Sequence, residues 1–397
     1  MVIVFINSKL LSADTILPFC ISYKKAYPNE KFRFFCVGSK KTVLAIRDNY
    51  ILDRVLCLTG QLSDVGNIGV KFLDKFADKS PKIRKLSVAI NLVWTLFHVF
   101  FAGGKVVHFG FWEHWLLRFF PRIRPRSFIE FHSNCWGNNP EVDAANLADG
   151  RGETTVNSPL LCLGSVVSFH DYWQKYYDAK ALNLPAILAA PTRASDDWLK
   201  FLDVTCSDLI EEEKRRIRYK PECRPVTIVL NILNQATKCT ELESPKVCLR
   251  ETLDALWRVC PDRLVLLKTH IITDMDALAD VLSDSQHENV QITNMHLAIL
   301  GRLSSLAICN LFSLGIADCW LSGCPTMEYT DYNDRVLAAT FGCSFGKEFI
   351  DLFISGNNRD LDKAIETLLA RGRIERSLDT KGFADAHQLV KFIANPS

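Results

Sequence analysis

No Cys-x-x-Cys pair occurs in this 397-residue chain, although it holds 14 cysteines. They are scattered, and most lie in apolar strings such as "FRFFCV" and "DRVLCL". Neither a zinc ribbon nor the dense framework of a small secreted domain is built this way. Cys319 and Cys324, five residues apart, have no second ligand pair nearby. The pattern reads as reduced, buried thiols in a cytoplasmic protein. Also lacking are Gly-x-Gly-x-x-Gly and Gly-x-x-x-x-Gly-Lys-Ser/Thr, so dinucleotide-binding and P-loop ATPase readings lose their main support. An excess of charge of one sign is lacking: 47 Lys+Arg against 45 Asp+Glu leave a formal net charge of +2, and nothing global draws the chain to nucleic acid. The opening "MVIVFINSKLL" has neither a basic n-region nor a small-residue cleavage site, and it reads as a strand rather than a signal peptide. The longest apolar run, from Leu86 to Ala102, contains Asn91 and His98. It falls short of the roughly 20 residues of a spanning helix and is expected to be a buried core helix.

What is present is alternation. Short apolar strands are expected at 2–7, 31–37, 52–58, 105–110, 127–132 and 165–170, with helices at 12–27, 41–49 and 82–101 between them. The second half repeats the scheme, with strands at 226–233, 263–270, 289–294, 305–310 and 325–330. Helices at 244–260, 275–282, 296–303, 313–323, 361–372 and 383–394 accompany them. Continuous apolar strands between helices imply parallel sheets covered on both faces. The expected fold class is α/β, with two Rossmann-like domains facing a central cleft. Their bounds are 1–193 and 226–397, with a charged linker helix at 194–225. Ligands of such sheets bind outside the carboxyl ends of the strands.

Several polar residues fall at those ends. "LLKTH" places Lys268 and His270 where a strand meets a loop, "ICN" places Asn310 at another, and "FSLG" puts Phe312, Ser313, Leu314 and Gly315 at a helix start. A helix start exposes unpaired N–H groups and binds phosphate. Glu328, in "PTMEYT", could accept the hydroxyls of a ribose. No metal is implied, because a helix start can do a metal's electrostatic work, and no cofactor is expected beyond the donor substrate.

These residues carry a resemblance. Lys-x-His, then Ser-x-Gly opening a helix, then Gly-x-Pro-Thr-x-Glu-Tyr, over residues 226–332, resembles the nucleotide half of bacterial surface-polysaccharide transferases. The pattern looks most like those using CMP-activated sugars, the Kdo and sialic acid transferases, and CDP-glycerol transferases share it. His270 would match the family's histidine motif, with Ile271 where the family usually has Pro, and Ser313 its serine motif. The layout resembles the retaining β-Kdo transferases of O-antigen and capsule biosynthesis. That resemblance implies a GT-B-like glycosyltransferase moving a CMP-activated acidic sugar, such as Kdo, to a bacterial polysaccharide of the lipopolysaccharide type. It also implies a carboxylate nucleophile at the end of the second domain's first strand. This chain has Asn231 and Asn234 there, and an amide cannot attack an anomeric carbon as a carboxylate does. An Asp-to-Asn variant is the reading adopted. A UDP-sugar epimerase of the same fold, and a catalytically silent glycan-binding subunit, stand as alternatives.

The first half would then hold a glycan or lipid-linked glycan acceptor. Trp112 and Trp115 could stack on sugars, while Ser8 could line the cleft. Arg118, Arg122, Arg124 and Arg126 could meet anionic lipid at the inner membrane. Glu130, His132 and His170, at expected strand ends, are the acid/base candidates.

Overall fold

The computed structural model describes all residues except 7–9, 38–39, 67–79, 110–123, 132–164, 169–184, 232, 234–239, 241–243, 271–272, 286–287, 357–359 and 396–397. The described residues fall into two compact units. One runs to Cys206 and takes back the stretch from Asp379 onward; the other is Ser207–Leu378.

In the first unit, β1 (Val2–Ile6, VIVFI) and β2 (Phe32–Cys36, FRFFC) are β-branched and aromatic and almost wholly buried. Such strands suit the middle of a sheet with helices on both faces. They are joined by β3 (Gly60–Asp64), β4 (Lys105–Phe109), β5 (Phe128–Phe131), β6 (Ser165–Ser168) and β7 (Ala186–Leu188). The order is β3-β2-β1-β4-β5-β6-β7, with every pair parallel. The helices are α1 (Leu10–Ala26), α2 (Lys40–Asp48), α3 (Tyr50–Thr59) and α4 (Pro81–Phe101). α3 corrects the expected strand at 52–58. Ile51, Leu52, Val55, Leu56 and Thr59 are buried at helical spacing, and the Asn49 side chain caps the helix by accepting from the Leu52 N–H (3.3 Å). The strand comes only afterwards, as β3.

Pro81 starts α4, and Gly103 (φ +65) follows its end. Leu92, Leu96 and Val99 join Ile3, Phe5, Phe35, Val106 and Phe128 in the core. The Asn91 amide donates to Val65 O (2.8 Å). The expected burial holds for this face alone. Leu86, Ile90, Val93, Phe97 and Phe101, on the opposite face, are exposed.

The expected linker helix at 194–225 is broken in two. α5 (Asp196–Lys200) runs into a π-turn, Phe201–Thr205, and α6 (Ser207–Arg216) follows. Trp198 is buried and stacked on Phe201 (5.4 Å), so the first half belongs to the first unit's core. α6 is tied into the second unit instead. Arg216 donates to Glu213 (2.8 Å) and to Thr293 Oγ1 (3.0 Å), and Thr293 Oγ1 donates to Glu213 Oε1 (3.0 Å).

The second unit has six parallel strands: β8 (Val226–Val229), β9 (Val265–Lys268), β10 (Val290–Thr293), β11 (Leu306–Cys309), β12 (Thr326–Thr330) and β13 (Leu352–Ser355). Their order is β10-β9-β8-β11-β12-β13. α7 (Ser244–Val259), α8 (Met275–Asp284), α9 (Leu297–Leu303), α10 (Ile316–Leu321), α11 (Asp334–Ala339) and α12 (Leu361–Arg371) connect and cover them. Leu249, Leu253 and Leu256 of α7, Leu278 and Val281 of α8, and Ile365 and Leu368 of α12 pack on Ile228, Leu267, Ile308 and Tyr329. The expected second domain, 226–397, does not keep its last helix. Ala384 pairs in parallel with Ala189, accepting from the Ala190 N–H (2.8 Å) and donating to Leu188 O (2.7 Å). α13 (Ala386–Ala394) packs on α1.

Candidate functional site

The order of the second sheet reverses between β8 and β11, and this is where an open α/β sheet makes a crevice beyond its strand ends. Two segments emerge there. β8 runs on through Leu230, whose N–H donates to Lys268 O (2.9 Å), to Asn231. β11 runs into the turn Asn310–Gly315, which leads to α10. The two are joined: Asn231 Nδ2 lies 3.4 Å from Phe312 O. The β9 loop joins them as well. Thr273 Oγ1 donates to Asn231 O (3.1 Å) and accepts the His270 N–H (2.9 Å). Asn231, Phe312, Ser313, Leu314, Gly315 and His270 thus converge, with His270 exposed and the others half-buried. Lys268 ends β9, and its Nζ donates to Asn294 O (3.1 Å).

The turn is pinned from beneath. The Phe312 N–H points to the Glu328 carboxylate and the Ser313 N–H to the Cys309 thiol. Glu328 also accepts from Tyr332 Oη (2.5 Å) and from the Ser344 hydroxyl. Burial pushes its carboxyl up to about 7, against the pull of these donors. Glu328 is 0% exposed, so the expectation of an open ribose acceptor is corrected. Protein donors occupy the carboxylate, and it braces the turn. Asn310 is corrected in the same way. It is buried, and its amide donates to Cys248 O (3.2 Å), Thr252 Oγ1 (2.7 Å) and Tyr329 O (3.3 Å), tying β11 to α7 and β12. Phe312 contributes its backbone and packs its ring on Gly346, where a Cβ would overlap that ring.

What the turn leaves open is specific. The Ser313 hydroxyl and the N–H groups of Leu314 and Gly315 meet no partner among the described residues. An anion's oxygens are recognised by such donors. Asp318, buried in the first turn of α10, already places a carboxylate near that helix start. The donors of the turn, rather than the helix dipole, are therefore the feature suited to phosphate.

Three short motifs escape the sequence reading, and the structure explains each. Asp274-Met275-Asp276 and Asp360-Leu361-Asp362 have the Asp-x-Asp spacing. Asp274 caps α8 by accepting from the Asp276 and Ala277 N–H groups, and Asp362 holds Arg258 (2.7 Å). Among the described residues no cluster of three metal-ligating side chains occurs. Gly342-Cys343-Ser344-Phe345-Gly346 has the spacing of a nucleophile elbow. An elbow exposes its serine between a strand and a helix, whereas Ser344 is buried against Glu328.

In the first unit, Glu130 is interior to the sheet. It is buried and in register with His108 on β4, itself buried. The expectation of an open acid/base group is corrected, because Glu130 is only 2% exposed. His132, His170, Asn234, Arg118, Arg122, Trp112, Trp115 and Ser8 lie outside the described residues; Arg124 and Arg126 are exposed.

No protein family and no curated protein matches the sequence, but solved structures match the fold. UDP-GlcNAc 2-epimerase from Neisseria meningitidis, in a structure bound to UDP-GlcNAc, superposes with a TM-score of 0.54 at 12% identity, over 100% of this chain and 95% of its own. A putative UDP-N-acetylglucosamine 2-epimerase from Listeria monocytogenes gives 0.51 at 12%, over 100% and 91%. The wall teichoic acid polymerase TagF gives 0.53 at 11%, over 99% and 88%. At such identities the likeness is one of fold. The chain has a GT-B-like fold, two Rossmann-like units as in glycosyltransferases and sugar-nucleotide epimerases.

Proposed function

We propose that this chain is a glycosyltransferase whose second unit holds a nucleotide-activated sugar at the β8/β11 switch point. The observation that carries the reading is the Ser313–Gly315 turn, with one hydroxyl and two N–H groups open at that point. In this role the turn takes the donor's phosphate, the exposed His270 lies in the loop linked to it through Thr273 and Asn231, and Lys268 would leave Asn294 O to bring its charge to the phosphate. Negative charge grows on the phosphate as the nucleotide leaves, and fixed donors stabilise it without reorganising. The proposed donor is a CMP-activated acidic sugar such as Kdo, and the proposed acceptor is a bacterial surface glycan. The sequence resemblance over 226–332 is the support for that donor.

Asn231 bears on activity. Its amide donates to Phe312 O, and a carboxylate could not donate there. Donor binding is therefore proposed as the robust property, with transfer through a nucleophile at 231 absent. A UDP-sugar epimerase is the second reading, and the fold likeness to the UDP-GlcNAc-bound epimerase is compatible with it.

Thermal unfolding in excess CMP, UDP, GDP or ADP tests this. A ligand at about 100 times its Kd adds roughly 2.7 kcal/mol, a rise in Tm of a few degrees for units of this size. The expected result is a rise with CMP that Ser313→Asp removes, because a carboxylate repels the phosphate. A rise with UDP alone would favour the epimerase. No rise with any nucleotide would leave a glycan-binding subunit as the better reading.

A further inference from the structure

We propose that the outer face of α4 docks the first unit on an anionic lipid surface, with the helix lying in the plane of the membrane. A helix that is apolar all round is normally buried all round. α4 departs from this. Between Leu86 and Phe101 it carries no acid, lysine or arginine, yet protein covers only one of its sides. Leu86 (61% exposed), Ile90, Val93, Phe97 (55%) and Phe101 (80%) recur at helical spacing along the open side. They form a stripe about 22 Å long at 1.5 Å per residue. Single exposed apolar residues need no explanation, but a continuous stripe marks an interaction surface.

The helix has the length and composition to cross a bilayer, but its inner face is committed. Leu92, Leu96 and Val99 are part of the sheet's core, and Asn91 bonds to Val65 O. It can therefore only lie along a surface. The charge at its two ends selects the surface. Lys82 and Lys85 are exposed at its start. At its finish, Arg124 stacks over the Phe100 ring (5.2 Å) and Lys105 donates to the backbone oxygen of Arg126 (3.2 Å), which brings Lys105, Arg124 and Arg126 together. An apolar stripe between two sets of cations is the pattern of an in-plane helix on anionic lipid. A second copy of the chain fits less well. Whether two α4 helices pair parallel or antiparallel about a twofold axis, a cationic end meets a cationic end. The proposal does not depend on what the second unit binds.

Sedimentation of the full chain with vesicles tests it. One set is phosphatidylcholine alone, and the other is equal parts phosphatidylcholine and phosphatidylglycerol. The expected result is binding to the anionic vesicles that weakens at high salt, with little binding to the neutral ones. Lys82→Gln with Lys85→Gln is expected to lower that binding on the order of tenfold. Phe97→Ser with Phe101→Ser is expected to abolish it without lowering Tm, since both rings are exposed. Failure to bind either vesicle overturns the proposal, as does binding that the phenylalanine variant leaves intact. Analytical ultracentrifugation supplies the remaining outcome: a dimer that this variant dissolves, without lipid binding by the parent, would assign the face to a second copy.

Discussion

Glu328→Gln is expected to remove a fall in stability that the parent shows as pH rises from about 4.5 through 7. The folded carboxyl sits at about 7 because of burial, against 4.5 for an ordinary glutamate. Between those values the folded chain keeps a proton that the unfolded chain has released. Stability from this group is therefore fully present below 4.5 and is lost as pH rises through 7, to a total of about 3 kcal/mol. A neutral amide of the same shape has no proton to lose, so its curve should stay flat over that interval. Urea midpoints for both proteins across the pH range supply the measurement, and parallel curves would refute the assignment. Glu328→Ala separates charge from bracing. It leaves the Tyr332 and Ser344 hydroxyls and the Phe312 N–H without their acceptor, and each unmet buried donor costs about 1–3 kcal/mol. Relative to Glu328→Gln, a further loss of roughly 3 kcal/mol is expected at every pH, together with a weaker nucleotide response, because the turn that carries Ser313 would lose its support.

Gly346→Ala should disturb the proposed phosphate turn through packing alone. The backbone at Gly346 has φ −110, which any residue can adopt, so conformational strain is not the reason. Space is: the added Cβ would overlap the Phe312 ring. The ring must move, and it belongs to the turn that is joined to Asn231 through Phe312 O and to Glu328 through the Phe312 N–H. Overpacking of this kind costs about 1–3 kcal/mol. The diagnostic is a double-mutant cycle. In a Phe312→Ala background the same methyl finds room, so its cost should fall by about 1 kcal/mol or more. Additive effects would mean that the ring and the glycine are not coupled. If the turn binds the nucleotide, CMP-induced stabilisation should fall in Gly346→Ala beyond what the loss of stability explains.

Much of the architecture was legible in the residues. Strands such as VIVFI and VLLK announce themselves because a parallel strand covered on both faces is apolar throughout. Gly103 and Pro81 mark the ends of α4, and Ser313 and Gly315 mark the turn at the switch point. The misreading at 52–58 has a plain cause. A short apolar run fits strand or helix alike, and only the burial of Ile51, Leu52, Val55, Leu56 and Thr59 together resolves it. The same limit hid the roles of Glu328 and Asn310. Alternation along a strand says which side chains share a face, but in a doubly covered sheet neither face is solvent, so a polar residue in β12 does not declare whether it meets ligand or protein. The return of residues 379–397 to the first unit was equally hidden, since pairing between Ala189 and Ala384 joins positions that local pattern cannot connect.

The sequence by itself determined the class of fold, the two parallel sheets and the position of the turn now proposed to take phosphate, because periodicity, capping and glycine placement act over a few residues. Tertiary structure alone decided which polar groups stay open. Glu328, Asn310 and Glu130 are enclosed by packing between segments far apart in the chain, while the Ser313 hydroxyl, the turn's two N–H groups and the outer side of α4 are left uncovered. Exposure belongs to the assembled layers and not to any stretch of residues, and on exposure the choice between bracing and binding depends.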